Sequence, residues 1–513
     1  MVAVATLCPA DGSPLPPVAD TPLDQIPAVI AAARRAQPAW AAQSLDARAA
    51  AMAQLARRML EKRAEMVDVL VKETGRSETE CLLAEVIAAV DYVKAATRAA
   101  RRALAPEPIK LSALDYPGKS ALIEAVPRGV VVIIAPWNYP LANFFKSFFP
   151  ALLAGNAVVL KPSEHTPRSG KWLAELAASV LPAGLVGLVL GAGPAGQALL
   201  DGEIDAVVFT GSVRTGRKVA QKAAERLIPS SIELGGKDAA IVLADADLDR
   251  TALGVAQWGV HNAGQNCAGI ERVYVEAAVA DAFIAKLATV LGRLRVSEGR
   301  GDADLGPLQN AAQLEIVERH VEEARAQGAK IWCGGRRTGK GLGYLPTLVE
   351  TERDDLAIMS EETFGPVLAI ARVKDAEEAI RRANASRYGL NGSVWTRDIE
   401  RGKALARKLE VGVAYVNNHA FAGALAELPW TGVKETGTGV AASHHAYATF
   451  VRRRTLFVDK NKNPDPWWMP LDQDARAFAE AIVARSLGSF GAIFTLAGLL
   501  GKRVKAAKAL LSP

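Results

Sequence analysis

At 513 residues the chain is longer than one hydrophobic core can organise, so two or three packed units are expected. Half of the residues are apolar and 23% are charged, which excludes a disordered chain and fits a globular α/β protein. The net charge of +6 is small for this length and scattered, so no nucleic-acid partner is expected.

The four cysteines, Cys8, Cys81, Cys267 and Cys333, lie far apart, with no CxxC pair and no Cys/His spacing for zinc. They predict no metal site and a reducing compartment. The N-terminus, MVAVATLCPADGSPLPPVAD, lacks a basic stretch followed by a long apolar run, so it does not read as a secretory signal and a cytoplasmic protein is expected.

In chain order, Ile26 to Ala105 is rich in Ala, Leu, Arg and Glu at helical spacing and predicts several helices. From Val130 the pattern changes. GVVVIIAPW, NAVVLKPSE, IDAVVFTGS and AAIVLADAD are short runs rich in β-branched residues, separated by helix-like stretches, as in a doubly wound parallel sheet. A second α/β unit is expected from about Gly236, with strands at RVYVE and PVLAIARV and helices at Ala311–Gln327 and Ala376–Asn384. TFVRRRTLFVDK, from Thr449, alternates like an exposed strand that could pair with another subunit. NKNPDPWWMP, from Asn461, reads as a linker or docking strap before a helical tail.

Four segments carry possible chemistry. Gly191-Ala-Gly193-Pro-Ala-Gly196 is a GxGxxG, but it does not open the first βαβ unit and no acidic residue follows at the usual distance, so an ordinary turn is the better reading. FTGSVRTG, Phe209 to Gly216, joins a strand-like run to a helix-like one. It is equally well a phosphate cradle at a helix N-terminus or a plain connecting turn. Cys267 lies in the polar, Gly-containing HNAGQNCAG ahead of an apolar strand. An isolated cysteine is usually a small core residue, yet one near a turn or helix end can be held as thiolate by N–H dipoles or a base. Glu233, in SIELGGK, enters an apolar sheet; it is either salt-bridged, to Lys237 or an Arg, or a general base with a raised pKa.

Together, PWNYP (Pro136–Pro140), KPSE (Lys161–Glu164), FTGSVRTG, ELGGK, NAGQNC, EETFGPV (Glu361–Val367) and PWTGVKETGTG (Pro429–Gly439) resemble, in order, the aldehyde dehydrogenase superfamily over Ile26 to Lys460. That resemblance implies an α/β fold with a Rossmann-like cofactor domain (1–108 and 128–235), an α/β catalytic domain (236–428) and a β oligomerisation arm (109–127 and 429–460). It implies oxidation of an aldehyde to the acid with NAD, or NADP, by a homodimer or homotetramer. Cys267 would form a thiohemiacetal and then a thioester, with the oxyanion held by the Asn138 amide and the Cys267 N–H, and Glu233 would activate the hydrolytic water. Cofactor contacts would come from Trp137, Lys161, Glu164, Gly211, Ser212, Val213, Arg214, Thr215, Gly216, Glu362 and Phe364. Glu164 should repel a 2′-phosphate, favouring NAD. Trp430 stands where many members have Phe, and Thr431 where many have Gly. A CoA-acylating enzyme is the alternative, which Glu233 argues against; a non-catalytic, membrane-associated member is a third, which the intact Cys267, Glu233, Asn138 and Lys161 argue against.

The tail, 461–513, extends beyond the usual family core. Ser486 to Gly501 is an uncharged run that as one helix would reach roughly 24 Å, short of a bilayer core of about 30 Å. Arg485 precedes it and Lys502, Arg503, Lys505 and Lys508 follow, a layout that suits peripheral contact of 475–508 with an anionic lipid surface on the cytoplasmic face of a membrane. Packing over the active-site mouth or on a partner subunit is the alternative. The layout is similar to that of long-chain fatty aldehyde dehydrogenases, which implies a hydrophobic, medium- to long-chain or aromatic aldehyde.

Overall fold

The β-branched runs become strands buried on both faces, and the computed structural model shows how they are ordered. It describes residues 3–4, 6–113, 115–297, 303–339 and 341–511. The chain divides into Met1–Ala105 with Ala125–Arg452, and Pro106–Glu124 with Arg453–Pro513.

The first unit opens with helices α1 (Ile26–Ala41), α2 (Leu45–Glu61), α3 (Arg63–Thr74) and α4 (Ile87–Ala103). A π-helical turn, Leu82–Val86, leads directly into α4. There follow β1 (Val130–Ile134), α5 (Ala142–Leu153), β2 (Ala157–Lys161), α6 (Pro167–Ala178), β3 (Val186–Leu188), α7 (Gly193–Asp201), β4 (Ala206–Thr210), α8 (Val213–Glu225) and β5 (Ser230–Glu233). The strands lie in the order β5-β4-β1-β2-β3, all parallel. The chain runs outward from β1 to β3 and then returns to lay β4 on the other side of β1. That reversal makes a crevice at the carboxyl ends of β1 and β4, where open α/β sheets take their ligands.

A second sheet contains β6 (Asp238–Val242), β7 (Ile270–Glu276), β8 (Lys330–Cys333), β9 (Thr347–Glu350), β10 (Val367–Val373), β11 (Asn391–Trp395) and β12 (Val413–Val416). Their order is β8-β9-β10-β7-β6-β11-β12, parallel except for β8. AAIVLADAD therefore opens this sheet as β6, while the other three runs belong to the first. Helices α9 (Leu248–Val260), α10 (Ala280–Arg293), α11 (Ala311–Ala326), α12 (Ala376–Asn384) and α13 (Ile399–Ala406) connect its strands. β13 (Gly437–Thr438) returns to pair antiparallel with β5, which fixes the 429–439 segment beside Glu233.

The second unit holds a sheet of Glu107–Ile109, Lys119–Pro127 and Val451–Asp459, and two helices, α14 (Gln473–Ser486) and α15 (Gly491–Ala509). Val451–Asp459 is exposed along nearly its whole length, as the alternation of TFVRRRTLFVDK suggested. The uncharged run 486–501 is not one helix. Gly488, at φ +93°, ends α14 in the left-handed region, and α15 starts at Gly491, so the run forms a hairpin tip. Leu487, Phe490 and Phe494 at that tip are 83%, 83% and 79% exposed, a large apolar surface left to water.

The base of the hairpin is held by one buried cation. Arg503 donates to the carbonyls of Pro466, Trp468 and Pro470 and to the Asp472 carboxylate, so the 465–472 strap is docked on α15. Arg503→Ala strands these acceptors and costs on the order of 3 kcal/mol locally. Hydrogen exchange should show α15 losing protection first; unchanged protection there would refute the anchoring role.

Candidate active site

Three chain segments converge where β1, β5 and β7 meet their loops. The glycines of ELGGK allow the approach. A Cβ on Gly235 would lie 2.3 Å from a Glu362 carboxylate oxygen, and one on Gly236 would lie 2.6 Å from the Cys267 carbonyl. Gly264 is tighter still, since it adopts φ +69° and a Cβ there would fall 1.9 Å from the Gly365 carbonyl.

The Cys267 loop begins at the end of α9, where Asn262 and Ala263 take left-handed backbone conformations. Their cost is offset by side-chain wiring. The Asn262 amide donates to the Asn138 carbonyl (2.8 Å) and the Gln265 carbonyl (3.2 Å), and the Gln265 amide nitrogen donates to Asn262 and Pro307. Asn138 is fixed in turn, donating through Nδ2 to the Gln265 carbonyl (3.1 Å) and accepting at Oδ1 from Asn143 (2.9 Å). The loop carrying Asn138 is anchored by Glu85, a fully buried carboxylate that pairs with Arg76 at 2.7 Å and accepts the Leu141 and Ala142 N–H groups that open α5.

Cys267 is half-buried in a cavity of about 400 Å³. The walls are mainly apolar: Leu83, Ala84, Ile87 and Ala88 from the π-helical turn and α4, Tyr92, Trp258, Phe421, Ala424 and Trp430. The π-helical turn is what swings Leu83 and Ala84 onto this wall. Glu233, at the end of β5, faces Cys267, and its Oε1 is buried with no hydrogen-bond partner among the described residues. Burial raises the Glu233 carboxyl, and Lys146 lowers it. Burial also pushes the Cys267 thiol well up, with the Glu233 charge adding to the shift. Burial thus works against a thiolate here, and the thiol's hydrogen bond is a long one to Asn266 Oδ1 at 4.0 Å.

Lys237 does not pair with Glu233. It donates to Glu271 at 2.5 Å, and Glu271 also accepts the Thr363 and Phe364 N–H groups at 2.7 and 2.9 Å. Phe364 sits at φ +51°, a strained conformation that these bonds maintain. Its ring meets that of Trp137 edge to face at 5.4 Å. Glu362 accepts from the Gly236 N–H at 2.9 Å, and burial together with the Glu271 charge pushes its carboxyl up to about 8.

At the crevice between β1 and β4, Gly211 follows β4 and Ser212 caps α8 by accepting from the Thr215 N–H. Val213, Arg214 and Thr215 form the first turn, with Arg214 and Thr215 exposed, while Gly216 is buried where a Cβ would strike Leu234 at 2.2 Å. The helix N-terminus is therefore open to an anion. Lys161, at the end of β2, is buried and donates to the Pro162 carbonyl, with Glu164 three residues on. Gly191–Gly196 opens α7, and Gly196 packs beside the Lys161 side chain.

The structure thus brings Glu233 and Asn138 to the loop of Cys267, which lines the cavity, sets Trp137, Phe364 and Glu362 on the adjoining loops, and places Gly211–Gly216 on the crevice. The family model described as the aldehyde dehydrogenase family matches residues 2–456. The chain belongs to the aldehyde dehydrogenase family. This dehydrogenase is 36% identical over 474 residues to a 4,4'-diapolycopene aldehyde oxidase of Methylomonas sp, covering 92% of this chain and 88% of that one. It is also 36% identical over 449 residues to a Mycolicibacterium smegmatis protein provisionally named a succinate-semialdehyde dehydrogenase with NADP(+), covering 86% of each. The structure of a Mycobacterium tuberculosis aldehyde dehydrogenase complexed with NAD+ is similar at a TM-score of 0.84 and 33% identity, covering 88% of this chain and 94% of that one. It is an NAD(P)-dependent aldehyde dehydrogenase that oxidises an aldehyde.

Glu85, Asn143, Lys146 and Glu271 complete the site, and the motifs did not reveal them. Glu85 and Lys146 left one signal, a charge inside an otherwise apolar helical run.

The raised Glu362 carboxyl has a pH consequence. It keeps its proton in the folded enzyme after the unfolded chain has lost it, so its contribution to stability is present below about pH 4.5 and is lost as pH rises towards 8. Glu362→Gln should therefore flatten the fall in melting temperature between pH 5 and pH 8 in the cofactor-free enzyme. Parallel curves for the two proteins would refute the shift.

Proposed function

We propose that the dehydrogenase oxidises hydrophobic, medium- to long-chain or aromatic aldehydes to carboxylic acids, with Cys267 as nucleophile and Glu233 as general base. The cavity above Cys267 carries this reading, because its apolar walls reward each buried methylene by about 0.8 kcal/mol. Attack of the Cys267 sulfur on the carbonyl carbon gives a thiohemiacetal as the thiol proton leaves, and the Glu233 carboxylate, which faces Cys267, takes it. Asn138 Nδ2 and the Cys267 N–H stabilise the oxyanion, each donor contributing on the order of 3 kcal/mol. Glu233 then deprotonates the water that hydrolyses the thioester, and its raised pKa suits a base working near neutrality. This base beside the cysteine disfavours the CoA-acylating alternative.

The residues present fit a nicotinamide dinucleotide. The open N-terminus of α8, from Gly211 to Gly216, suits a pyrophosphate; Lys161 and Glu164 suit ribose hydroxyls; Glu362, Trp137 and Phe364 suit the nicotinamide end. When bound, NAD(P)+ supplies the hydride acceptor that converts thiohemiacetal to thioester. The Glu164 carboxylate favours NAD over NADP by repelling a 2′-phosphate.

Two features of the second unit support assembly and location. The exposed strand Val451–Asp459, with Leu456 and Phe457 facing solvent, supports a homodimer or homotetramer. No described helix is long and apolar enough to cross a membrane. The apolar tip Leu487–Phe494, with Lys502, Lys505 and Lys508 on α15, instead supports peripheral contact with an anionic lipid surface. Four free cysteines fit the cytoplasmic side.

Cys267→Ala should lower turnover by about 10⁴-fold or more. NADH formation should favour decanal over acetaldehyde in kcat/KM; equal efficiency on the two would overturn the substrate class. Sedimentation with phosphatidylserine vesicles should be lost in Phe490→Asp/Phe494→Asp while turnover of a soluble aldehyde persists; retained sedimentation would refute the lipid contact.

A further inference from the structure

Helix α5 is buried along almost its whole length, as its sequence ANFFKSFFPALL requires, and one charged residue interrupts it. Lys146 is half-buried and lines the same cavity as Cys267. Its ammonium lies 4.6 Å from the centre of the Trp430 ring, over the face that an indole offers a cation. Among the described residues it makes no hydrogen bond or ion pair. An ammonium in apolar surroundings is costly unless a neighbouring negative charge offsets the lost hydration.

The groups that face it are the Tyr92 phenol, Cys267 and Glu233, with Asp91 and His261 elsewhere on the cavity wall. His261 is neutral, its pKa lowered to about 4 by burial, and Tyr92 is kept protonated by burial. Asp91, on α4, is exposed and makes no ion pair with Lys146 among the described residues. Cys267 and Glu233 are different, because each becomes an anion on losing its proton and either charge acts on the Lys146 ammonium.

We propose that Lys146 is the counter-charge of the Cys267–Glu233 pair, a positioning residue whose ammonium, steadied on the face of Trp430, lets that pair keep one negative charge inside an apolar cavity. The proposal rests on the roles given above to Cys267 and Glu233. It accounts for a lysine in a core helix, and it gives Trp430, where many relatives have Phe, a partner. Burial raises both the thiol and the carboxyl, and Lys146 opposes both shifts.

The test is the pH dependence of Cys267 alkylation by iodoacetamide in the cofactor-free enzyme, read on the Cys267 peptide by mass spectrometry. The thiolate displaces iodide from the methylene carbon, so the rate reports how much of the thiol is ionised. Lys146→Met should raise the midpoint by about one pH unit, which slows alkylation about tenfold at any pH below it. Lys146→Arg should keep the midpoint of the unaltered enzyme. Should Lys146→Met fail to fold, Lys146→Gln keeps a polar head without the charge and should show the same rise. An unchanged midpoint in the neutral variant overturns the proposal. Failure of the Cys267 assignment would appear elsewhere, as turnover surviving in Cys267→Ala.

Discussion

The site depends on close backbone approach at the edge shared by two sheets. Gly235, Gly236 and Gly264 lie where a Cβ would meet, respectively, the Glu362 carboxylate, the Cys267 carbonyl and the Gly365 carbonyl. At Gly236 and Gly264 no rotamer relieves the contact, because the opposing atoms are main-chain oxygens. Side chains of any size would force the Cys267 loop, the 361–365 loop and the end of β5 apart. Glu233 would then no longer face Cys267, and the geometry that the proposed proton transfer needs would be lost.

Approach alone does not hold loops in place, and buried ionic groups do the rest in two distinct ways. Glu271 with Lys237, and Glu85 with Arg76, are paired and also accept backbone N–H groups, so each fixes a loop. Such pairs gain little net stability from burial but specify one arrangement. Glu233 and Glu362 lack an ion pair of this kind, and both are raised. The molecule thus keeps these ion-paired carboxylates on the scaffold, while Glu233 and Glu362 are the ones whose pKa burial raises.

Much of this was legible in the residues because the signals were local. β-branched runs fixed the strands, Gly and Ser marked the start of α8, and the ordered motifs placed Cys267, Glu233, Asn138 and the cofactor residues on a known framework. Helix α12 follows its periodicity to both ends because Asp375 caps it and its apolar positions repeat on one face. The uncharged run 486–501 misled, since charge pattern and length gave no weight to Gly488, whose left-handed backbone splits it. Lys237 also has a different partner from the one suggested by nearness in sequence, because Glu233 ends β5 in one sheet while Lys237 leads into β6 of the other, whose neighbour β7 carries Glu271. Glu85, Asn143 and Lys146 were illegible for a related reason. Their importance comes from what lies opposite in space, and helical spacing reports only which face a residue occupies.

The apolar cavity and the charges at its floor reinforce each other. Walls contributed by Leu83, Ile87, Trp258 and Phe421 are apolar, although Leu83, Ile87 and Phe421 are 62%, 51% and 49% exposed, and apolar neighbours strengthen the interactions among Cys267, Glu233 and Lys146. The same walls raise the cost of any uncompensated charge there, so on the proposed function a cavity that takes a hydrophobic aldehyde needs its cation more than a wet one would. On the proposed function, affinity for an apolar chain and control of the Cys267 proton are therefore set by one feature. A substitution that opened the wall to water would weaken both together, even without touching a reacting atom.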